Sequence, residues 1–273
     1  LKAKILSWIF PFFTALIVIF TVKAFWFFIV VFHGSSMASG LSDGDILLCT
    51  KISKIKIGDR IFYQENDSVS GNVKRLAALA GDTLLIENGK LSVNRTEYHF
   101  PWIIQRYRII SRASVKYDSD YIFQQNKNGF YTADLSAEEE KNIEKNQKIR
   151  IKKMSYEKEI NQKNIFPRTF RFPWNESFFG QVVVPKKNKT VKINPKNIRL
   201  YQEILSEYEN QTVEIRKGKI FISGKNTNQY TFKNDYIFVL NDDRTDTQDS
   251  REFGFLLLSA VKGKVWKIIY HSK

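Results

Sequence analysis

The hydrophobic pattern changes character several times along this chain. Residues 5–22 (ILSWIFPFFTALIVIFTV) are an apolar run long enough to span a bilayer. After Lys23, residues 24–32 (AFWFFIVVF) are rich in aromatic and β-branched side chains, which predicts a strand. A single span through residue 32 would bury Lys23 at roughly 2.5–3.5 kcal/mol. The span is therefore expected to end near Val22, with Lys23 snorkelling at the interface and Pro11 tolerated as a kink. Short apolar runs then recur at 45–50, 60–63, 83–87 and 90–93. Gly44-Asp45, Gly58-Asp59, Gly81-Asp82 and Asn88-Gly89 supply turns between them, and Asn88-Gly89 is the strongest hairpin signal.

Residues 136–160 predict an exposed helix. Ser136 and Glu139 form a capping-box pattern, acids lead and bases follow. Residues 165–185 hold three of the six prolines and predict an ordered loop returning to the core. Residues 194–210 predict a second helix, with Ile198, Tyr201, Ile204, Leu205 and Tyr208 at helical spacing. From 212 onward strands return (TVEIR, KIFIS, YTF, YIFVL, then SAVKGKVWKIIY), and no repeat of 20–50 residues is evident. The expected organisation is an anchor at 1–23, a β core at 24–95 and 180–273, and a mixed insert at 96–179.

Charge narrows the partners. The chain of 273 residues carries 43 basic and 28 acidic residues, a net charge of +15. The bases are spread along the chain and mixed with acids, and no zinc-finger, helix-turn-helix or RNA-binding signature accompanies them. Anionic lipid or plain compositional bias fits this better than nucleic acid. Lys2 and Lys4 flank the apolar run, and no small-residue cleavage site lies between residues 22 and 33, so a retained single-pass anchor with its basic end cytoplasmic is expected. Cys49 is alone and reads as a buried small hydrophobe. His33, His99 and His271 lie far apart, so neither a metal nor another cofactor is expected.

The chemistry begins where the apolar run breaks, at His33-Gly34-Ser35-Ser36-Met37. Ser36 is followed 38 residues later by Lys74 in an apolar setting of Val73, Leu76 and Leu79. With so few histidines, a serine activated by a neutral lysine is the specific possibility. Four blocks occur in order: Gly34-Ser35-Ser36-Met37 through Leu41; Gly44-Asp45-Ile46-Leu47-Leu48; Val73-Lys74-Arg75 to Gly81-Asp82; and Asn241-Asp242-Asp243-Arg244 through Asp249-Ser250-Arg251 and Gly254. Behind an apolar anchor, and with PWNESFFGQVVVPKK at 173–187, this order resembles type I signal peptidases, the membrane-bound Ser-Lys endopeptidases of protein export.

The resemblance implies a mainly β fold: an antiparallel β catalytic core, a mixed α/β insert and an N-terminal transmembrane helix. It implies Ser36 as nucleophile and Lys74 as general base. Free lysine titrates near ~10.4, so burial must lower that value by several units. Thr247 falls where a hydroxyl orients the lysine. Asp249 and Arg251 brace the site, Arg75 supports it, and Asp242 and Arg244 are companions in the same block. The Ser36 N–H would serve the oxyanion, without the extra hydroxyl that some members carry at the position of Gly34. Phe32, Met37, Leu41 and Val73 would line pockets for the small residues at the first and third positions before the cut, with the substrate added as a strand beside residues 70–73. Implied partners are preprotein signal peptides, membrane lipids and the secretion machinery. The implied location is the bacterial cytoplasmic membrane, with the catalytic part on the periplasmic or extracytoplasmic side. The chain departs from the family pattern at His33, Ser39-Gly40, Ala78-Leu79-Ala80 and Asn241. The eroded turns keep an alternative open, a non-catalytic homologue that binds precursors within an export assembly. A self-cleaving Ser-Lys regulator of related fold is a third reading, opposed by the anchor and the lack of a DNA-binding motif.

Overall fold

Short strands dominate the regular structure, and alternation of apolar and polar positions accounts for several of them, including β3 and β5. The computed structural model describes residues 11–18, 21, 26–51, 53–65, 70–110, 124–125, 131–145 and 150–272. In chain order the strands begin with β1 (Phe27–Val31), β2 (Ile46–Thr50), β3 (Arg60–Tyr63), β4 (Asn72–Ala78) and β5 (Thr83–Glu87). Then come β6 (Lys90–Val93), β7 (Thr96–Tyr98), β8 (Gln105–Ile110), β9 (Gln124–Gln125), β10 (Tyr131–Leu135), helix α1 (Ala137–Lys145) and β11 (Arg150–Lys153). The last part holds β12 (Phe179–Val183), β13 (Thr190–Lys192), α2 (Gln202–Glu207), β14 (Val213–Arg216), β15 (Lys219–Ile222), β16 (Lys225–Asn226) and β17 (Gln229–Thr231). It closes with β18 (Tyr236–Leu240), α3 (Ser250–Phe253), β19 (Leu256–Leu257) and β20 (Val261–Tyr270).

The main sheet has seven strands in the order β1-β2-β20-β3-β4-β18-β19. The ten-residue β20 pairs antiparallel with both β2 and β3, so the end of the chain joins the two N-terminal hairpin regions. Its bulge at Gly263 needs glycine, because a Cβ there would sit 2.6 Å from the Thr50 carbonyl oxygen. A second sheet, β12-β5-β6-β7, grows from the Asn88-Gly89 hairpin. Both turn residues have positive φ (50° and 73°), as a type I′ turn demands. The largest apolar cluster joins Leu84, Ile86, Phe179, Phe238 and Phe255, among others. Strand β4 runs against it and is buried at every position from Val73 to Ala78.

Residues 105–153 carry a separate sheet, β11-β8-β10-β9, with its own apolar cluster of Tyr107, Ile109, Ala133, Leu135 and Ile143. The capping box forms: Glu139 Oε2 accepts from the Ser136 N–H and hydroxyl, both at 2.7 Å. The helix expected over 136–160 ends at Lys145, however, and Arg150–Lys153 pairs with β8 as a strand. Here Ile151 faces Ile109, and burial against a sheet overrides the helical propensity of a Lys-rich run. The helix expected over 194–210 is a 3-10 turn at Ile198–Leu200 followed by α2, with Ile198, Ile204 and Leu205 buried. Residues 11–18 and 21 are helical, and the rest of the expected span at 1–23 lies outside the described residues. Among the described residues no helix is long and apolar enough to cross a membrane.

Candidate active site

The loop after β1 is closed at its base by two backbone hydrogen bonds. Phe32 N–H donates to the Asp45 carbonyl and Gly44 N–H to the Phe32 carbonyl, both at 2.8 Å. Within the loop Gly34 N–H donates to Asp43 Oδ1 at 2.8 Å, and Ala38 N–H to the Ser35 carbonyl at 3.0 Å. Met37 is fully buried, and it holds half-buried Ser36 beside it. Phe32, Met37, Leu41 and Val73 gather in one apolar cluster with Leu47 and Cys49. The four expected pocket residues are thus brought together, each no more than 3% exposed. Asp45 braces the loop from below. Its carboxylate accepts the Ser42 and Ser272 N–H groups at 2.9 Å and meets His271 Nδ1 at 3.2 Å. The Ser42 bond, ahead of those from Ser272 and His271, holds this carboxyl below its usual range despite burial.

Lys74 lies in β4 and is 6% exposed. Its Nζ donates to Asn241 Oδ1 at 2.5 Å and to the Gln248 carbonyl at 2.8 Å. Burial pushes the amine below its ordinary value; Asp249 and Asp246 oppose the shift and Arg251 adds to it. The segment from Asn241 to Arg251 also reaches the serine loop, because Asp243 N–H donates to the Ser36 carbonyl at 3.2 Å. One turn therefore holds both the lysine amine and the serine backbone.

That turn is built on buried ions. Asp249 caps α3: its Oδ1 accepts the Arg251 N–H and its Oδ2 the Asn241 N–H, each at 2.9 Å. Arg251 forks onto the same carboxylate at 2.8–3.2 Å and donates to the Arg244 and Asp246 carbonyls. On the neighbouring residue of β4, Arg75 makes a bidentate pair with Asp242, through Nε at 2.8 Å and through Nη2. It also donates to the Gly58 carbonyl and stacks on Trp102 at 4.9 Å. Arg60 reaches Asp242 at 3.5 Å and the Gly40 carbonyl at 3.3 Å, tying the serine loop to the same pair. Burial, with help from Arg251, lowers Arg244 to about 10. Arg244 lines a cavity of about 330 Å³ with Arg106, Lys153 and Glu176.

Most of the residues expected from sequence thus meet around one turn: Ser36, Lys74, Arg75, Asp249 and Arg251, with Asp242 between them. Thr247 is placed differently. Its hydroxyl accepts from Asn164 Nδ2 at 3.2 Å and lies 3.4 Å from Glu252 Oε2, and the amine is taken instead by the next carbonyl and by Asn241. Asn241, Gln248, Arg60 and Asp45 were not anticipated as parts of the site. In the sequence Asn241 shows as the first residue of the last block and as a departure from the family pattern, with no role attached. Arg60 carried one faint signal, its position in a half-buried apolar strand.

The pattern of the signal peptidase, peptidase S26 family matches residues 5–166 and 179–270, and the chain belongs to this family of peptidases. It is 32% identical over 102 residues to signal peptidase I P of Bacillus subtilis subsp. natto, covering 36% of this chain and 55% of that protein. It is 35% identical over 79 residues to signal peptidase I of Streptococcus pneumoniae serotype 4, covering 28% and 39%. With signal peptidase I of Bacillus licheniformis it shares 25% over 124 residues, covering 44% and 67%. The chain spans about half the length of the curated relatives it matches.

Proposed function

We propose that this protein removes N-terminal signal peptides from exported preproteins at a membrane surface, with Ser36 as nucleophile and Lys74 as general base. The observation that carries the reading is the state of Lys74: buried, pushed toward its neutral form and bonded to uncharged acceptors. A neutral amine takes the Ser36 hydroxyl proton as Oγ attacks the scissile carbonyl. The ammonium so formed returns the proton to the leaving amine, and the neutral amine then activates the water that releases the acyl group. The Ser36 N–H stabilises the developing oxyanion, while Asp249, Arg251 and the Arg75–Asp242 pair keep the turn rigid.

Substrate entry is supported by the edge of β4. Its ladder with β18 begins at Arg75, and among the described residues no strand pairs with Asn72, Val73 or Lys74 on that side. A signal peptide adds there as a strand, its small side chains over the cluster of Phe32, Met37, Leu41 and Val73. Membrane-surface action is supported by the outer face of the main sheet. Ile29 and Val31 stand opposite Leu48 and Ile46, and exposed Trp266 stacks on Phe27 at 5.3 Å beside exposed Trp26. Aromatic residues of this kind settle at the headgroup level. The apolar run at 5–22 then anchors the chain with Lys2 and Lys4 cytoplasmic and the site on the extracytoplasmic side.

The test is cleavage of a model preprotein by the purified full chain in detergent, beside Ser36→Ala. Cleavage after a small-x-small sequence, absent in the variant, is expected. A wild type that binds the signal peptide and never cuts it, where a control peptidase does, would replace this reading with that of a binding subunit.

A further inference from the structure

Asn241 follows β18 directly and is fully buried. Every polar group it points inward has a partner. Its N–H donates to Asp249 Oδ2 at 2.9 Å and its Nδ2 to the Asp246 carbonyl at 3.1 Å, while its Oδ1 accepts from Lys74 Nζ at 2.5 Å. The Nδ2 bond decides which way the amide faces, since an NH₂ group turned toward the lysine would meet a donor and leave the Asp246 carbonyl facing an oxygen. The oxygen is therefore held against the amine by the same turn that caps α3.

A neutral lysine amine has two N–H bonds and one lone pair. Asn241 Oδ1 and the Gln248 carbonyl take the two N–H bonds, and the lone pair is left for a proton from another group. We propose that Asn241 is a positioning residue for the Ser-Lys reaction, fixing the Lys74 amine so that its lone pair stays available to the serine. The inference rests on the assignment of Lys74 as the base. The choice of an amide also has a chemical reason. The charged groups facing Lys74 are Asp249 and Asp246, which favour its ammonium form, and Arg251, which opposes it. Burial outweighs them in the direction of neutrality. A carboxylate in the place of the amide would add an opposite charge at hydrogen-bond distance and reverse that balance.

Two variants of the full chain test this. Asn241→Asp keeps the shape and adds the charge. It is expected to move the acid limb of kcat/KM to higher pH by about 1–3 units, the scale of a newly adjacent opposite charge, with activity returning in alkaline solution. Asn241→Ala removes the acceptor. It is expected to lower kcat by about 10–100-fold with KM nearly unchanged, the scale of a misplaced catalytic group, and to move the acid limb the other way. A parallel titration of the Lys74 Cε carbon by NMR, with lysine labelled and the signal assigned by its loss in Lys74→Ala, reads the same shifts without activity. Variants with wild-type kcat, acid limb and Lys74 titration would overturn the inference. If Asn241→Asp does not fold, Asn241→Ala decides alone on the same measurements. If the wild type does not cut, the proposed function fails on its own test. The NMR titration then decides whether Asn241 controls Lys74.

Discussion

Lys74 and Arg75 are neighbours on one buried strand, yet the structure treats their charges in opposite ways. Arg75 receives a carboxylate, bidentate, with Arg60 and the Trp102 ring around it. Among the described residues, Lys74 is met by an amide oxygen and a backbone carbonyl and by no carboxylate. Guanidinium holds its proton far more tightly than an ammonium, so burial of Arg75 favours pairing it with a carboxylate. An ammonium can give up its proton, and burial without a carboxylate contact pushes it to do so. Under the proposed function, one strand thus supplies a rigid strut and, one residue earlier, the proposed base.

The hardest way to break this contrast is to remove the proposed base. Lys74→Ala and Ser36→Ala should each cut kcat/KM by on the order of 10⁴-fold or more, and the double variant should be hardly worse, because the pair acts as a unit. Lys74→Arg should be equally inactive in the preprotein cleavage assay, since its charge persists.

Removing the strut should act on stability instead. Asp242→Asn leaves the buried Arg75 guanidinium, and the half-buried Arg60 beside it, short of a carboxylate and should cost about 3–5 kcal/mol, read as a drop in the denaturation midpoint. Single-turnover kcat of the folded fraction should change far less than for the Lys74 variants. Equal loss of kcat in both would erase the distinction between strut and base.

The pH dependence sharpens it. Lys74 titrates below its ordinary value of 10.5 in the folded chain, by burial. The unfolded state therefore binds more protons in the window between the folded and unfolded values. Stability should rise with pH across that window, and the penalty should be full below the folded value. Activity should rise through the folded value if Lys74 is the base proposed here, since it would act only when neutral. Lys74→Met should remove this part of the stability slope and should be more stable than wild type on its acid side, as measured by urea unfolding at several pH values.

The smallest effect expected is at Thr247. Its hydroxyl is partnered by Asn164 and Glu252 at 3.2–3.4 Å rather than by Lys74. Thr247→Val should change kcat by about twofold or less, the scale of a substitution away from a buried network. A loss of a hundredfold would return the lysine-orienting role to this hydroxyl.

The sequence by itself determined the local elements, because they rest on short-range chemistry. Short apolar runs between turn signals predicted β2, β3, β5 and β6 almost to the residue, and Asn88-Gly89 set the β5–β6 hairpin through positive φ. Ser136 and Glu139 started α1 as a capping box should. The four motif blocks were also legible, since each is contiguous. The end of α1 was not, because Arg150–Lys153 becomes a strand only when β8 lies beside it. Only the tertiary structure decided which groups hold Lys74. Its partners lie 167 and 174 residues away, on a turn reached through β18. Nothing local marks Asn241 or the Gln248 carbonyl as acceptors, and nothing local separates an arginine held by a carboxylate from a lysine held by uncharged acceptors beside it. Those distinctions arise from burial and long-range hydrogen bonding, which depend on how the sheet closes rather than on any window of the chain.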